Sequence, residues 1–369
     1  MELGISLDPY PEKAMKTDFL IIGGGVAGLS SANCLAEAGA DVTLLESGTY
    51  PVQKICGEFL SPEAIPILEG WDIAPASEIA TLKFVTPKQQ WCMELPQRAA
   101  TLPRYVLDGA LARRAELYGA QVKTGAQVEN VEVPKFEGQN FNVTLTSGER
   151  WSSPTLLLST GRLVSSLTKQ KPPKFCYIGA KAHFKGIDIP KELVMHLVPG
   201  AYFGMAPISD GSVNVAGIIA CTAEQAQDPK ATLYAFFERS ETQCLTEVLD
   251  QGSCLFEDWM VGPIPEFGMR DDPRWPNTLL IGDAAGVIPP ATGNGLAMGL
   301  TSGILAAEYA LKGDLESYQA CWKKTYGKRI SRGVCLHRFF LSSYLVKAMP
   351  LVNRLFPAIP DYLFRLTRK

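Results

Sequence analysis

Gly23-Gly24-Gly25-Val26-Ala27-Gly28 sets glycines at the first, third and sixth positions of a turn between an apolar run and a helical pattern. Gly23 permits the tight turn, Gly25 lets backbone approach a pyrophosphate, and Gly28 allows close packing of helix on strand. The first helical turn adds amide donors and positive partial charge, so Gly23, Gly25, Ala27 and Gly28 are candidate contacts for a dinucleotide. Glu46 closes the next apolar run eighteen residues past Gly28, where a carboxylate accepts from a ribose hydroxyl and repels a 2′-phosphate. A second glycine-rich stretch, Ile281-Gly282-Asp283-Ala284-Ala285-Gly286, leads through Pro289-Pro290 to Thr292-Gly293-Asn294-Gly295 and a long apolar helical pattern.

The elements that position these residues are readable from periodicity. FLII before Gly23, DVTLLES, TLLLST (155–160) and NTLLIG (277–282) are short continuous apolar runs, as strands buried on both faces must be. VAGLSSANCLAEAGA, LDGALARRAELYGA (107–120) and GLAMGLTSGILAAEYAL (295–311) have helical spacing. Alternating runs, among them TLKFV, WCMEL, AKAHFKGI, ELVMHLV and SVNVAGII, read as strands of a second sheet. The expected fold is α/β: a Rossmann-like nucleotide-binding domain built from segments 17–75, 101–165 and 260–325, an inserted antiparallel-sheet domain from 76–100 and 166–259, and helices over 326–369.

The second stretch carries a resemblance. G-D-A-A-G-x-x-x-P-x-x-G-x-G before a long helix resembles the second flavin fingerprint of the para-hydroxybenzoate hydroxylase superfamily, which includes class A monooxygenases, flavin halogenases and geranylgeranyl reductases. The resemblance spans about residues 17–325 and implies bound FAD, with Gly282 and Asp283 at the ribityl chain and Gly293, Asn294 and Gly295 facing the isoalloxazine edge. A helix N-terminus there stabilises the negative charge of reduced flavin. Pro103-Arg104 before Leu107-Asp108 resembles the family segment whose arginine reaches the cofactor, making Arg104 a candidate contact. Lys54-Ile55-Cys56-Gly57 and Gly262-Pro263-Ile264-Pro265 resemble motifs of the geranylgeranyl reductases. In that frame Cys56 is a candidate proton donor near the flavin face and Glu58 a second one, while Tyr202 and Phe203 line an apolar substrate pocket. His183 and His196 are read as structural.

The chain also departs from the pattern. The middle strand ends Ser159-Thr160-Gly161-Arg162, without the aspartate that hydroxylases carry there, and no second G-x-G-x-x-G exists to hold a nicotinamide permanently. NADPH or NADH enters, if at all, as a transient electron donor. The halogenase tryptophan motif is absent, and Tyr202-Phe203-Gly204-Met205-Ala206-Pro207 matches the reductases' substrate motif only in part. Three readings stay open: reduction or dehydrogenation of a carbon–carbon bond in an isoprenoid-like or phenolic substrate, hydroxylation with O2, and flavin binding without turnover.

Composition limits the partners. A net charge of −3 gives no electrostatic match to nucleic acid, and the three histidines and nine cysteines show no metal-ligand spacing and no C-x-x-C. The odd cysteine count and the absence of an apolar run in residues 1–13 lead us to expect a cytoplasmic-type protein. Charge is uneven: residues 329–369 hold eight basic side chains against one acid, Asp361, on a body that is correspondingly acidic. With Leu336, Phe340 and Tyr344 at helical spacing, and Leu351, Leu355, Phe356, Tyr362, Leu363 and Phe364 beyond, this segment is expected either to wall an apolar cavity or to touch a membrane surface peripherally.

Overall fold

The structure, a computed structural model, describes residues 14–136, 138–162, 175–270 and 275–342, together with 344, 347, 348, 351, 354 and 355. Its principal elements in chain order are β1 (Phe19–Ile22), α1 (Val26–Glu37), β2 (Val42–Leu45), α2 (Ile65–Gly70), β3 (Ser77–Val85) and β4 (Gln90–Thr101). There follow α3 (Arg104–Leu117), β5 (Gln121–Lys123), β6 (Thr155–Leu158), β7 (Phe175–Lys185), β8 (Glu192–Val198), β9 (Ala201–Pro207) and β10 (Ser212–Ala220). The remainder are α4 (Pro229–Phe237), α5 (Gln243–Leu249), β11 (Met260–Pro265), β12 (Thr278–Leu280), α6 (Gly295–Lys312) and α7 (Leu315–Leu341). Residues 1–13 and the tail's apolar residues Phe356, Tyr362, Leu363 and Phe364 lie outside the described residues.

The apolar runs form one parallel sheet in the order β12-β6-β1-β2-β5. β1, β2, β6 and β12 are almost wholly buried: α1 packs against both α3 and α6, and Val128, Phe141, Val143, Leu145 and Trp151 of a separate four-stranded sheet belong to the same core. Helices α1 and α6 cross at close range, and Gly303 makes this possible: a Cβ there would stand 2.3 Å from the Ala27 carbonyl oxygen. Ser30 Oγ donates to the Leu300 carbonyl at 2.8 Å across the same contact. The crossing brings the N-termini of both helices to one end of the sheet, beyond the carboxyl ends of β1 and β6, where ligands of such sheets bind.

The alternating runs form a larger sheet in which β7, β10, β9, β8, β3 and β4 are consecutive neighbours, antiparallel throughout except for the parallel pair β8–β3. β11, which the sequence grouped with the nucleotide-binding segments, pairs along β7 in this sheet. One face is covered by α4 and α5 through Leu233, Phe236, Leu245 and Leu249. The other is met by α7, whose Leu336, Phe339 and Phe340 pack with Phe84, Met195, Leu197 and Tyr202. No helix among the described residues is long and apolar enough to cross a membrane.

Candidate active site

A single cavity of about 1120 Å³ runs from the glycine turn to the face of the large sheet. At one end it is lined by Gly23, Gly25, Ala27, Glu46, Ser159, Arg162 and Asp283; at the other by Leu82, Phe84, Trp91, Met93, Met195, Leu336, Phe339 and Phe340. Cys56, Arg104, Tyr202 and the turn Pro290–Gly293 also line it. The polar end is nucleotide-like in chemistry and the other is almost wholly apolar, which suits one ligand of each kind meeting in the middle.

The glycine turn combines close backbone packing with one open approach. Gly23 adopts φ +104, and a Cβ there would lie 2.3 Å from the Ser159 carbonyl oxygen, so only glycine fits. A Cβ on Gly28 would come within 2.1 Å of the Gly23 carbonyl oxygen, and Gly28 does not reach the cavity; its part is packing. A Cβ on Gly25 meets nothing within 4 Å although the residue lines the cavity, which leaves its approach open. Glu46 anchors the turn: its Oε2 accepts from Gly24 N–H at 2.6 Å and its Oε1 from Gly48 N–H at 2.9 Å, while Tyr50 donates its hydroxyl to the Gly24 carbonyl at 2.6 Å. Glu46 lines the cavity as well, so holding the turn leaves its edge facing the ligand space.

The second fingerprint folds as a tight turn followed by α6. Gly282 sits at φ +60, and its N–H donates to Ser302 Oγ at 2.8 Å; Ser302 also accepts from Trp322 Nε1 at 2.9 Å, tying the turn to α7. Asp283 lines the cavity. Burial raises its pKa above the usual carboxylate value, and the charges of Arg162, Arg104 and Arg270 oppose that rise. Gly293, at φ +65, and Gly295 line the cavity at the N-terminus of α6; Asn294 is fully buried behind them, outside the lining. Arg104 lines the cavity while gripping Asp108 through two bonds, Nε at 2.8 Å and Nη2 at 2.7 Å, and its guanidinium also reaches Cys56.

One of the two expected pocket residues faces elsewhere. Tyr202 and Phe203 are neighbours in a strand and therefore point to opposite sides. Tyr202 lines the cavity, its hydroxyl oxygen accepting from Ala291 N–H at 3.1 Å and lying 3.1 Å from His337 Nδ1. Phe203 is on the far face, stacked on Phe236 at 5.7 Å and edge-on to Trp259, so it belongs to the core beneath α4.

Glu58 likewise does not line the cavity. It is fully buried, with Oε1 2.5 Å from Lys181 Nζ and Oε2 3.0 Å from His183 Nε2, and Oε1 also accepts from Arg104 N–H at 2.9 Å. Burial alone would raise its pKa, but the His183 hydrogen bond and the Lys181 charge outweigh it and hold the group below the usual carboxylate value. An ionised, fully engaged carboxylate has no proton to give, so Glu58 is a clamp rather than a donor. It holds the loop at φ +56, a conformation costly for a side-chain-bearing residue, and presents its N–H to Cys56 Sγ at 3.3 Å. Lys181, buried and also donating to Gln53 at 2.8 Å, was not anticipated. Its only sequence signal is that Lys181 and His183 stand two apart in AKAHFKGI and so share a face.

The first βαβ unit, residues 18–53, matches the family described as FAD dependent oxidoreductase. Over 354 residues, covering 88% of this chain and 83% of the relative, the chain is 26% identical to a menaquinone reductase of Mycolicibacterium smegmatis. It is also 26% identical over 350 residues, 88% of this chain and 87% of the relative, to digeranylgeranylglycerophospholipid reductase 2 of Methanopyrus kandleri. Among solved structures, the flavin-dependent brominase Bmp2 superposes with a TM-score of 0.79 at 17% identity, over 96% of this chain and 94% of that one, and shares its fold. The chain is an FAD-dependent oxidoreductase. Its similarity to these curated relatives is to reductases.

Proposed function

We propose that this protein reduces a carbon–carbon double bond in an apolar, isoprenoid-like substrate, drawing electrons transiently from NADPH or NADH. The observation that carries the reading is the continuity of the cavity: the glycine cradle opens into an apolar chamber walled by the large sheet and α7, with Cys56 in its lining and the Cys56 carbonyl accepting from Asn214 of β10. The relatives' names agree, since each names a reductase of an isoprenoid-bearing compound.

The residues present fit FAD. The open space at Gly25, the amides at the start of α1, the Glu46 edge and Asp283 among its arginines form a cradle for the pyrophosphate, ribose and ribityl parts. When bound, FAD supplies the hydride. Adding a hydride to one alkene carbon leaves the other needing a proton, and Cys56 is the one thiol lining the cavity among the described residues. Arg104 and Glu58 N–H both reach its sulfur, so the thiolate left after proton delivery is met by a cation and a backbone donor. The apolar walls exclude water and orient the chain of the substrate.

Cys56→Ser is expected to keep its yellow colour and its reduction by nicotinamide while substrate turnover falls at least about tenfold; turnover equal to wild type would return Cys56 to packing. Asp283→Ala is expected to lose FAD about ten- to a hundredfold more readily, read as flavin absorbance retained through gel filtration. The deciding assay mixes nicotinamide-reduced holoprotein with polyprenyl quinones and lipids, in one arm without oxygen and in a second with O2 admitted, and weighs the products by mass spectrometry after any quinol has been reoxidised to the quinone. A gain of two hydrogens supports the reading, and a gain of one oxygen assigns the cavity to hydroxylation instead.

A further inference from the structure

Beyond α7 the described residues Tyr344, Lys347, Ala348, Leu351, Arg354 and Leu355 are all helical and exposed. Tyr344 is 83% exposed, Leu351 60% and Leu355 61%. Tyr344, Ala348, Leu351 and Leu355 recur at spacings of four, three and four, the spacing of one helical face, and define an apolar stripe. Lys347 and Arg354, seven apart, run along one side of it. Ala348, on the stripe, also borders the cavity. In sequence no acidic residue stands between Glu316 and Asp361.

We propose that this stripe is a docking face for an anionic lipid surface, and that it sets the apolar end of the cavity against the bilayer from which the substrate enters. The second clause rests on the reductase reading; the docking itself does not. An apolar stripe with cations on its flank and no acids has the composition of an interfacial helix, which buries its apolar side among acyl chains and keeps its cations at the phosphates. A second copy of this chain is the poorer occupant, because pairing the stripe with itself would set Lys347 and Arg354 against like charges.

The test is flotation of FAD-loaded protein with vesicles of phosphatidylcholine alone and of phosphatidylcholine with about 30% phosphatidylglycerol. The proposal expects binding to the anionic vesicles, weakened by salt, and little to the neutral ones. Leu351→Ser with Leu355→Ser, and separately Lys347→Glu with Arg354→Glu, are expected to cut the bound fraction about tenfold with flavin content and nicotinamide reduction unchanged. Equal partition to both vesicles, no binding to either, or variants that bind like wild type would overturn the proposal. So would a wild-type dimer in sedimentation that the serine pair dissolves, since the stripe would then be a self-contact. Turnover is not read, so docking and reductase activity fail or succeed separately.

Discussion

Gly25→Val is expected to yield a folded, colourless protein. Gly25 lies at φ −78 and ψ −178, ordinary extended backbone that valine adopts freely, and its Cβ would project into open cavity. The cost to the fold is about 1 kcal/mol, for a poorer residue at the helix N-cap. The cost to binding is far greater, because the isopropyl group occupies the path of the pyrophosphate to the α1 amides, and FAD affinity should drop more than about a hundredfold. Gly28→Ala and Gly303→Ala provide the contrast. Each puts a methyl group within 2.3 Å of a backbone oxygen, so these variants should lose solubility or melting temperature along with the flavin. Absorbance at the flavin band together with a thermal melt separates the two outcomes. A Gly25→Val protein that purifies fully yellow would remove the glycine turn from the FAD site.

Lys181→Met is expected to lower stability more than any single change in the cavity lining. Both Lys181 and Glu58 are fully buried, and removing the cation leaves a carboxylate in an apolar interior with only His183 and one backbone amide. Breaking such a pair costs about 3–5 kcal/mol, or about 4–6 °C in melting temperature for a chain of this size. Because the Glu58 pKa is depressed in the folded state, its contribution is present above the unfolded value near about 4.3 and lost as pH falls through the folded value. In Lys181→Met that depression is removed and protonation relieves the uncompensated charge. The deficit should therefore be largest near neutrality and shrink as pH falls toward about 4. Adding Glu58→Gln to Lys181→Met should recover part of the loss. Melts across this pH range decide the matter: a deficit independent of pH would mean that Lys181 contributes only by filling space.

The parallel sheet was legible because strands buried on both faces cannot hide their apolar runs: FLII, TLLLST and NTLLIG are β1, β6 and β12. The two glycine fingerprints were legible because Gly23, Gly28 and Gly282 stand where close approach or a positive φ disfavours any other residue. The directions of neighbouring side chains were less so. Phe203 stands beside Tyr202 in the partly matching substrate motif, although strand alternation alone sends the two to opposite faces. Glu58 was read from its nearness to Cys56, while its surroundings come from β7, more than a hundred residues later. Lys181 was invisible because a lysine in an alternating strand reads as its solvated side, and only the tertiary fold supplies the carboxylate that lets it be buried. Of the tail, Leu336 and Phe340 fulfil the cavity-wall expectation, and Tyr344 stands outside it.

The strand order of the parallel sheet has a consequence for how the molecule comes into being. β6 lies between β1 and β12, so a sheet begun at Phe19 gains its last neighbour only when Leu280 has been made. At about 5–20 residues per second that interval is about 10–50 s of translation. Meanwhile β6 has one bare edge, and the turn at Gly282, which waits for Ser302 and Trp322, has no support. The half-made protein can assemble β8, β9 and β10 as a local meander with β7 against β10, but it has no floor beneath the flavin seat. Ribosome-bound chains cut short before β12 should therefore be protease-sensitive in their first 160 residues, whereas chains reaching past α7 should resist cleavage and take up the cofactor.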